Sequence, residues 1–75
     1  MKLYGAMKMV LFELNAVGGD TTDSVLSKNT RISLVDMRDW LLILEGDQYV
    51  TLERDGDVFT AKITPKGRVV LRHLC

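Results

Sequence analysis

One cysteine, one proline, one histidine and one tryptophan are all that this 75-residue chain holds of each. The cysteine is Cys75, at the last position, so no disulfide framework and no cysteine-based metal cluster is expected, and a reducing, cytoplasmic setting fits. His73 stands without a second ligand or a nearby nucleophile. The longest apolar run, Trp40 to Leu44, is far short of the ~20 residues that a bilayer-crossing helix needs. Lys8 and Glu13 break the apolar middle of the N-terminal stretch, which argues against a secretory signal. Gly18-Gly19 lacks the lysine and spacing of a phosphate-cradling loop. With no catalytic constellation, the chain is expected to be neither an enzyme nor a binder of metal or cofactor. Net charge is absent too, with ten Lys plus Arg against ten Asp plus Glu. A nucleic-acid partner then requires an uneven distribution of charge. The distribution is uneven: Glu45 to Asp57 holds five acids and one base, whereas Val58 onward holds Lys62, Lys66, Arg68 and Arg72 and no acid.

What is present is hydrophobicity. At 47% apolar residues the chain reads as one small domain, residues 1–75, with a compact core and a surplus that favours an apolar interface. Over residues 3–16, Leu3, Met7, Val10, Leu11 and Leu14 recur at three- and four-residue steps, predicting a core helix that Gly18-Gly19 stops. Asp20, Thr21 and Thr22 offer caps for a short second helix to about Lys28, with Val25 and Leu26 inward; capping likewise accounts for Asp23 without a metal. A polar turn at Asn29-Thr30-Arg31 precedes Ser33, the expected cap of a third helix running to about Glu45 with Met37, Trp40, Leu41 and Leu44 inward. Alternation predicts a strand over residues 49–54 with Val50 and Leu52 on one side. Asp55-Gly56 favours a tight hairpin into a return strand over residues 58–64 that faces Phe59, Ala61 and Ile63 inward. Pro65, at a first helical position, opens a fourth helix with Val69, Val70, Leu71 and Leu74 on its apolar side.

Several local motifs carry a resemblance. Leu26-Ser27-Lys28 followed by Ile32-Ser33 resembles a Leu and small residue ahead of the aliphatic-Ser pair that opens a recognition helix. Leu41, Leu44-Glu45 and Tyr49-Val50 resemble a Leu-x-x-Leu-Glu run leading to a Gly-Tyr-Val strand start, and Ile63-Thr64-Pro65-Lys66-Gly67-Arg68 resembles a Leu-Thr-Pro-Lys-Gly-Arg junction. In this order they are similar to the winged helix-turn-helix domains of bacterial and archaeal regulators, over almost the whole chain. The resemblance implies an α+β fold: a three-helix bundle, a two-stranded β-hairpin wing and a C-terminal helix. The chain departs from that pattern at Arg31, where the family often has Gly. It departs again along the third helix, whose outward positions Ser33, Leu34, Val35, Asp36, Arg38, Asp39, Leu42 and Ile43 are more acidic and apolar than the family's usual polar and basic set.

The resemblance implies a DNA-binding regulator that contacts double-stranded DNA. Lys28 and Arg31 would reach phosphates from the turn, Ser33 and Arg38 base edges or backbone, Leu34 or Val35 a thymine methyl, and Lys62 and Lys66 a flanking phosphate track. Asp36, Asp39, Asp55 and Asp57 oppose that reading. The alternative is a protein–protein assembly module, with Val35, Leu42, Ile43, Val70 and Leu74 forming a homodimer or partner interface.

Overall fold

The computed structural model describes residues 5–74, with the backbone alone for Leu74. The order is α1 (Gly5–Ala16), β1 (Asp20–Thr22), α2 (Asp23–Thr30), α3 (Leu34–Gly46), β2 (Val50–Asp55), β3 (Val58–Ile63) and α4 (Pro65–Leu74). Four helices and the hairpin stand where the sequence predicts them, and Leu3 lies outside the described residues. One element is new. Asp20–Thr22, read above as caps only, is also a strand, pairing antiparallel with β3 from Asp20 opposite Lys62 to Thr22 opposite Thr60. The sheet therefore has three strands in the order β1-β3-β2.

The helices end for identifiable reasons. After α1, Gly18 N–H bonds the Asn15 carbonyl and Gly19 N–H the Leu14 carbonyl, with Gly18 at φ 102°. That is a Schellman closure, and glycine enters the left-handed region there without a Cβ penalty. The same closure ends α3, where Gln48 and Tyr49 donate to Glu45 and Leu44 and Gln48 itself takes φ 67°. Thr22 caps α2 by accepting from the Val25 amide, and Ser33 caps α3 by accepting from the Asp36 amide. The hairpin closes with Asp55 opposite Val58, so its loop is Gly56-Asp57, one residue later than the sequence suggests. Gly56 carries the positive φ (61°) that the loop requires.

The core lies between the helices and one face of the sheet. Met7, Val10, Leu11 and Leu14 of α1 meet Leu26 of α2, Met37, Leu41 and Leu44 of α3, Val50, Ala61 and Ile63 of the sheet, and Leu71 of α4. Burying each leucine fully is worth about 1.5–3 kcal/mol relative to exposure. Trp40, Leu52 and Val70 are half-buried against this cluster. Val25 is exposed, contrary to expectation, because the short α2 turns only Leu26 fully inward among its apolar residues. Tyr49 is buried at the close of α3, where an apolar residue packs back on the last helical turn.

Candidate nucleic-acid interface

The corner between α2 and α3 is built by hydroxyls. Ser27 Oγ donates to the Ile32 carbonyl at 2.5 Å and Thr30 Oγ1 to the Leu26 carbonyl at 2.7 Å, while the Arg31 amide bonds the Ser27 carbonyl at 2.9 Å. Arg31 caps α2 in the left-handed conformation, φ 63° and ψ 18°. The local geometry is thus the one that favours glycine, and Arg31 adopts it with its side chain exposed. Lys28, Arg31 and Ser33 are all exposed at this corner. Beside them α3 begins with the amides of its first turn, the positive end of the helix dipole. Two cations and a hydroxyl thus flank the same turn, within six positions of one another in the sequence.

Arg38 does not join them as a free donor. Its Nε donates to Asp23 Oδ2 at 2.7 Å, its Nη2 to the Asp57 carbonyl at the hairpin tip, and its guanidinium lies 5.2 Å from the Phe59 ring centroid. Asp23 is 0% exposed, and its other oxygen accepts from the Ser24 amide at 2.8 Å. Helix capping therefore falls to Thr22, and Asp23 serves as the buried anchor of Arg38. Withdrawing Arg38 toward a base would strand a buried carboxylate, which is strongly unfavourable. The Arg54 guanidinium also lies 5.2 Å from the Phe59 ring centroid, and its Nη2 is 3.8 Å from Glu45 Oε1. Arg38 and Arg54 are thus both engaged within the molecule.

The remaining predicted contacts disperse. Lys62 sits on the outer face of the sheet beside Asp20, Thr51, Glu53 and Thr60. Lys66 Nζ lies 5.2 Å from the Tyr49 ring centroid, near Gly46, Asp47 and Gln48 at the C-terminal end of α3. A 13-residue helix is about 20 Å long, so Lys66 is that far along α3 from Ser33. Burial of Tyr49, with Asp47 beside it, raises its phenol above the ordinary value. Arg68 Nη1 donates to Asn15 Oδ1 at 2.9 Å, and with Phe12, Leu71 and Arg72 these line an open groove of about 290 Å³ between α1 and α4.

Of the predicted interface residues, Val35 is 73% exposed and Ile43 47%, with Leu42 and Leu34 also exposed, and Asp36 and Asp39 stand exposed on the same helix. Val70 instead packs against the core, while Val69 is exposed; the side chain of Leu74 lies outside the described residues. Among the described residues no group of three potential metal ligands occurs, and no helix is long and apolar enough to cross a membrane.

No protein-family model and no curated protein matches this sequence. Solved structures match by fold. BpsR of Bordetella bronchiseptica, from a structure concerned with regulation of its DNA binding by 6-hydroxynicotinic acid, aligns with a TM-score of 0.88 at 22% identity, over 97% of this chain and 57% of its own. A MarR family protein from Bacillus stearothermophilus gives 0.85 at 20% identity, over 99% of this chain and 52% of its own. The zinc-responsive MarR family member ZitR of Lactococcus lactis gives 0.81 at 21%, over 96% and 51%. This chain spans a little over half the length of each, and the shared part is the fold. The chain is a winged helix-turn-helix.

Proposed function

We propose that this winged helix is the DNA-binding module of a transcriptional regulator, acting on cytoplasmic duplex DNA. The observation that carries the reading is the turn between α2 and α3, where Lys28 and Arg31 are exposed beside the Ser33-capped start of α3. Cations and helix-start amides bind phosphate together, and such contacts set position on the duplex without reading sequence. The likeness in fold to regulators of the MarR type supports the same reading. The contact set is smaller than the sequence implies. Arg38 is committed to Asp23 and the hairpin, and Lys62 and Lys66 lie away from the corner.

The test is a duplex titration at two salt concentrations with the wild-type chain and with Lys28→Ala and Arg31→Ala. Each lost phosphate contact lowers affinity and reduces the log–log salt slope by about 0.9. Absence of any binding at low salt would sink the proposal. A second reading, protein assembly, is favoured by the apolar stripe of Leu34, Val35, Leu42 and Ile43 beside Asp36 and Asp39. Exposed apolar surface of this kind also underlies the expectation of a homodimer. Sedimentation separates these outcomes: self-association that Val35→Ser or Leu42→Ser abolishes, in a chain indifferent to DNA, selects assembly.

A further inference from the structure

Ten Lys plus Arg and ten Asp plus Glu leave the chain neutral, but the two signs are sorted onto different surfaces. On α3, Asp36 and Asp39 are exposed among Leu34, Val35, Leu42 and Ile43, and no cation of that helix is exposed with them. Helical neighbours lie three and four positions away, so Asp39 sits at the centre of Val35, Asp36, Leu42 and Ile43. The surface of α4 is the reverse. That helix contains no acid, and Arg68 and Arg72 line its groove toward α1 together with the exposed Phe12. Val69 is exposed beside them. Among the described residues Asp36, Asp39 and Arg72 have no ion-pair partner, and the Arg68 guanidinium bonds the neutral amide of Asn15. Each surface thus combines hydrocarbon with uncompensated charge of one sign.

A contact of either surface with the same surface of another copy sets like charge against like, which is unfavourable. A contact of one with the other is complementary. Resting on the assembly reading above, we propose that the partner of α3 is a second copy of this chain, docked by its α1–α4 groove. The spacings agree. Asp36 and Asp39 are three positions apart and Arg68 and Arg72 four, each pair about 5–6 Å between Cβ atoms, so two carboxylates meet two guanidiniums. Around them Val35, Leu42 and Ile43 meet Phe12 and Val69. A guanidinium suits this setting, because it is more weakly hydrated than an ammonium and packs on aromatic faces. A copy seated there covers α3, so this assembly and duplex contact by the same helix exclude each other.

The experiment is sedimentation of the full chain over a range of concentrations, at low and at high salt. The samples are the wild type, Asp39→Arg, Arg72→Glu and an equimolar mixture of the two variants. Both positions are exposed and outside the core, so the variants keep the fold, which circular dichroism checks. The wild type self-associates, and less so at high salt, where the charges are screened. Each variant alone associates at least about tenfold more weakly. The mixture regains association, because the two reversed charges face each other and the unaltered surfaces pair as before. Self-association that either variant leaves unchanged, or a mixture as weak as its components, overturns this pairing while leaving self-association itself standing. A chain that stays monomeric at every concentration overturns the assembly reading instead, and this inference with it.

Discussion

Replacing Arg38 with alanine removes the partner of a carboxylate that water does not reach. Asp23 is 0% exposed, its Oδ2 is 2.7 Å from the Arg38 Nε, and its Oδ1 keeps only the Ser24 amide at 2.8 Å. Breaking a buried pair in this way costs about 3–5 kcal/mol. The Arg38 side chain is 33% exposed, so water enters part of the vacancy, and the lower end, ~3 kcal/mol, is expected. A domain of this length has about 4–11 kcal/mol in total. Since each kcal/mol shifts the midpoint of a small domain by about 4–8 °C, Tm falls by about 12 °C or more. The assay is urea unfolding of the wild type, Arg38→Ala, Asp23→Asn and the double variant. Asparagine still accepts from the Ser24 amide and carries no charge, so the double variant regains much of what Arg38→Ala loses. A cost for Arg38→Ala below about 1 kcal/mol, within the range of exposed ion pairs, refutes the reasoning. So does a double variant no more stable than the single one.

Gly67→Ala places a Cβ against the Tyr49 carbonyl oxygen and 2.8 Å from Ile63 Cγ1, so it overpacks the wing–α4 junction at about 1–3 kcal/mol, measured by thermal unfolding. Arg31→Gly relieves a left-handed non-glycine residue and raises stability by about 1 kcal/mol, while lowering DNA affinity through the lost cation; denaturation and titration report the two effects separately. The raised Tyr49 phenol favours the neutral form in the folded chain. Its contribution is complete below the unfolded value of about 10 and is lost as pH climbs through the folded one. Alkaline unfolding followed by circular dichroism should therefore show a stability slope above about pH 10 that is shallower in Tyr49→Phe.

Local signals carried most of the fold. The spacing of Met7, Val10, Leu11 and Leu14, the Gly18-Gly19 stop, Ser33 and the Thr64-Pro65 start each act within one or two turns, and each element lies where those residues put it. β1 is different. Asp20-Thr21-Thr22 is polar and capping by composition, and it becomes a strand only because Thr60, Ala61 and Lys62, some forty residues away, lie alongside. The Gly at the family's turn position was informative in its absence, since Arg31 adopts the left-handed conformation regardless. Site chemistry was less legible. Helical spacing puts Arg38 at the edge of the exposed face, but not in the grip of an aspartate fifteen residues earlier and of a hairpin carbonyl nineteen residues later. Nothing in the sequence marks Asp23 as buried, since an Asp at the start of a helix is equally the mark of a solvated cap or first-turn acid. The dispersal of Lys62 and Lys66 likewise depends on which face of the sheet and which end of α3 they occupy, and both are tertiary facts.

The third strand changes the wing mechanically. Because β1 runs beside β3 from Thr60 to Lys62, the base of the return strand is held between β1 on one side and its hairpin partner β2 on the other. Only the stretch beyond Thr60 projects freely, about 10 Å at the rise of an extended chain. That makes the wing a short cantilever with a fixed root. Arg38 touches it near the free end, through the Asp57 carbonyl and the Phe59 ring. A prop near the tip of a beam governs its deflection far more than a prop at the root. One arginine on α3 thus ties the wing tip to the helical body.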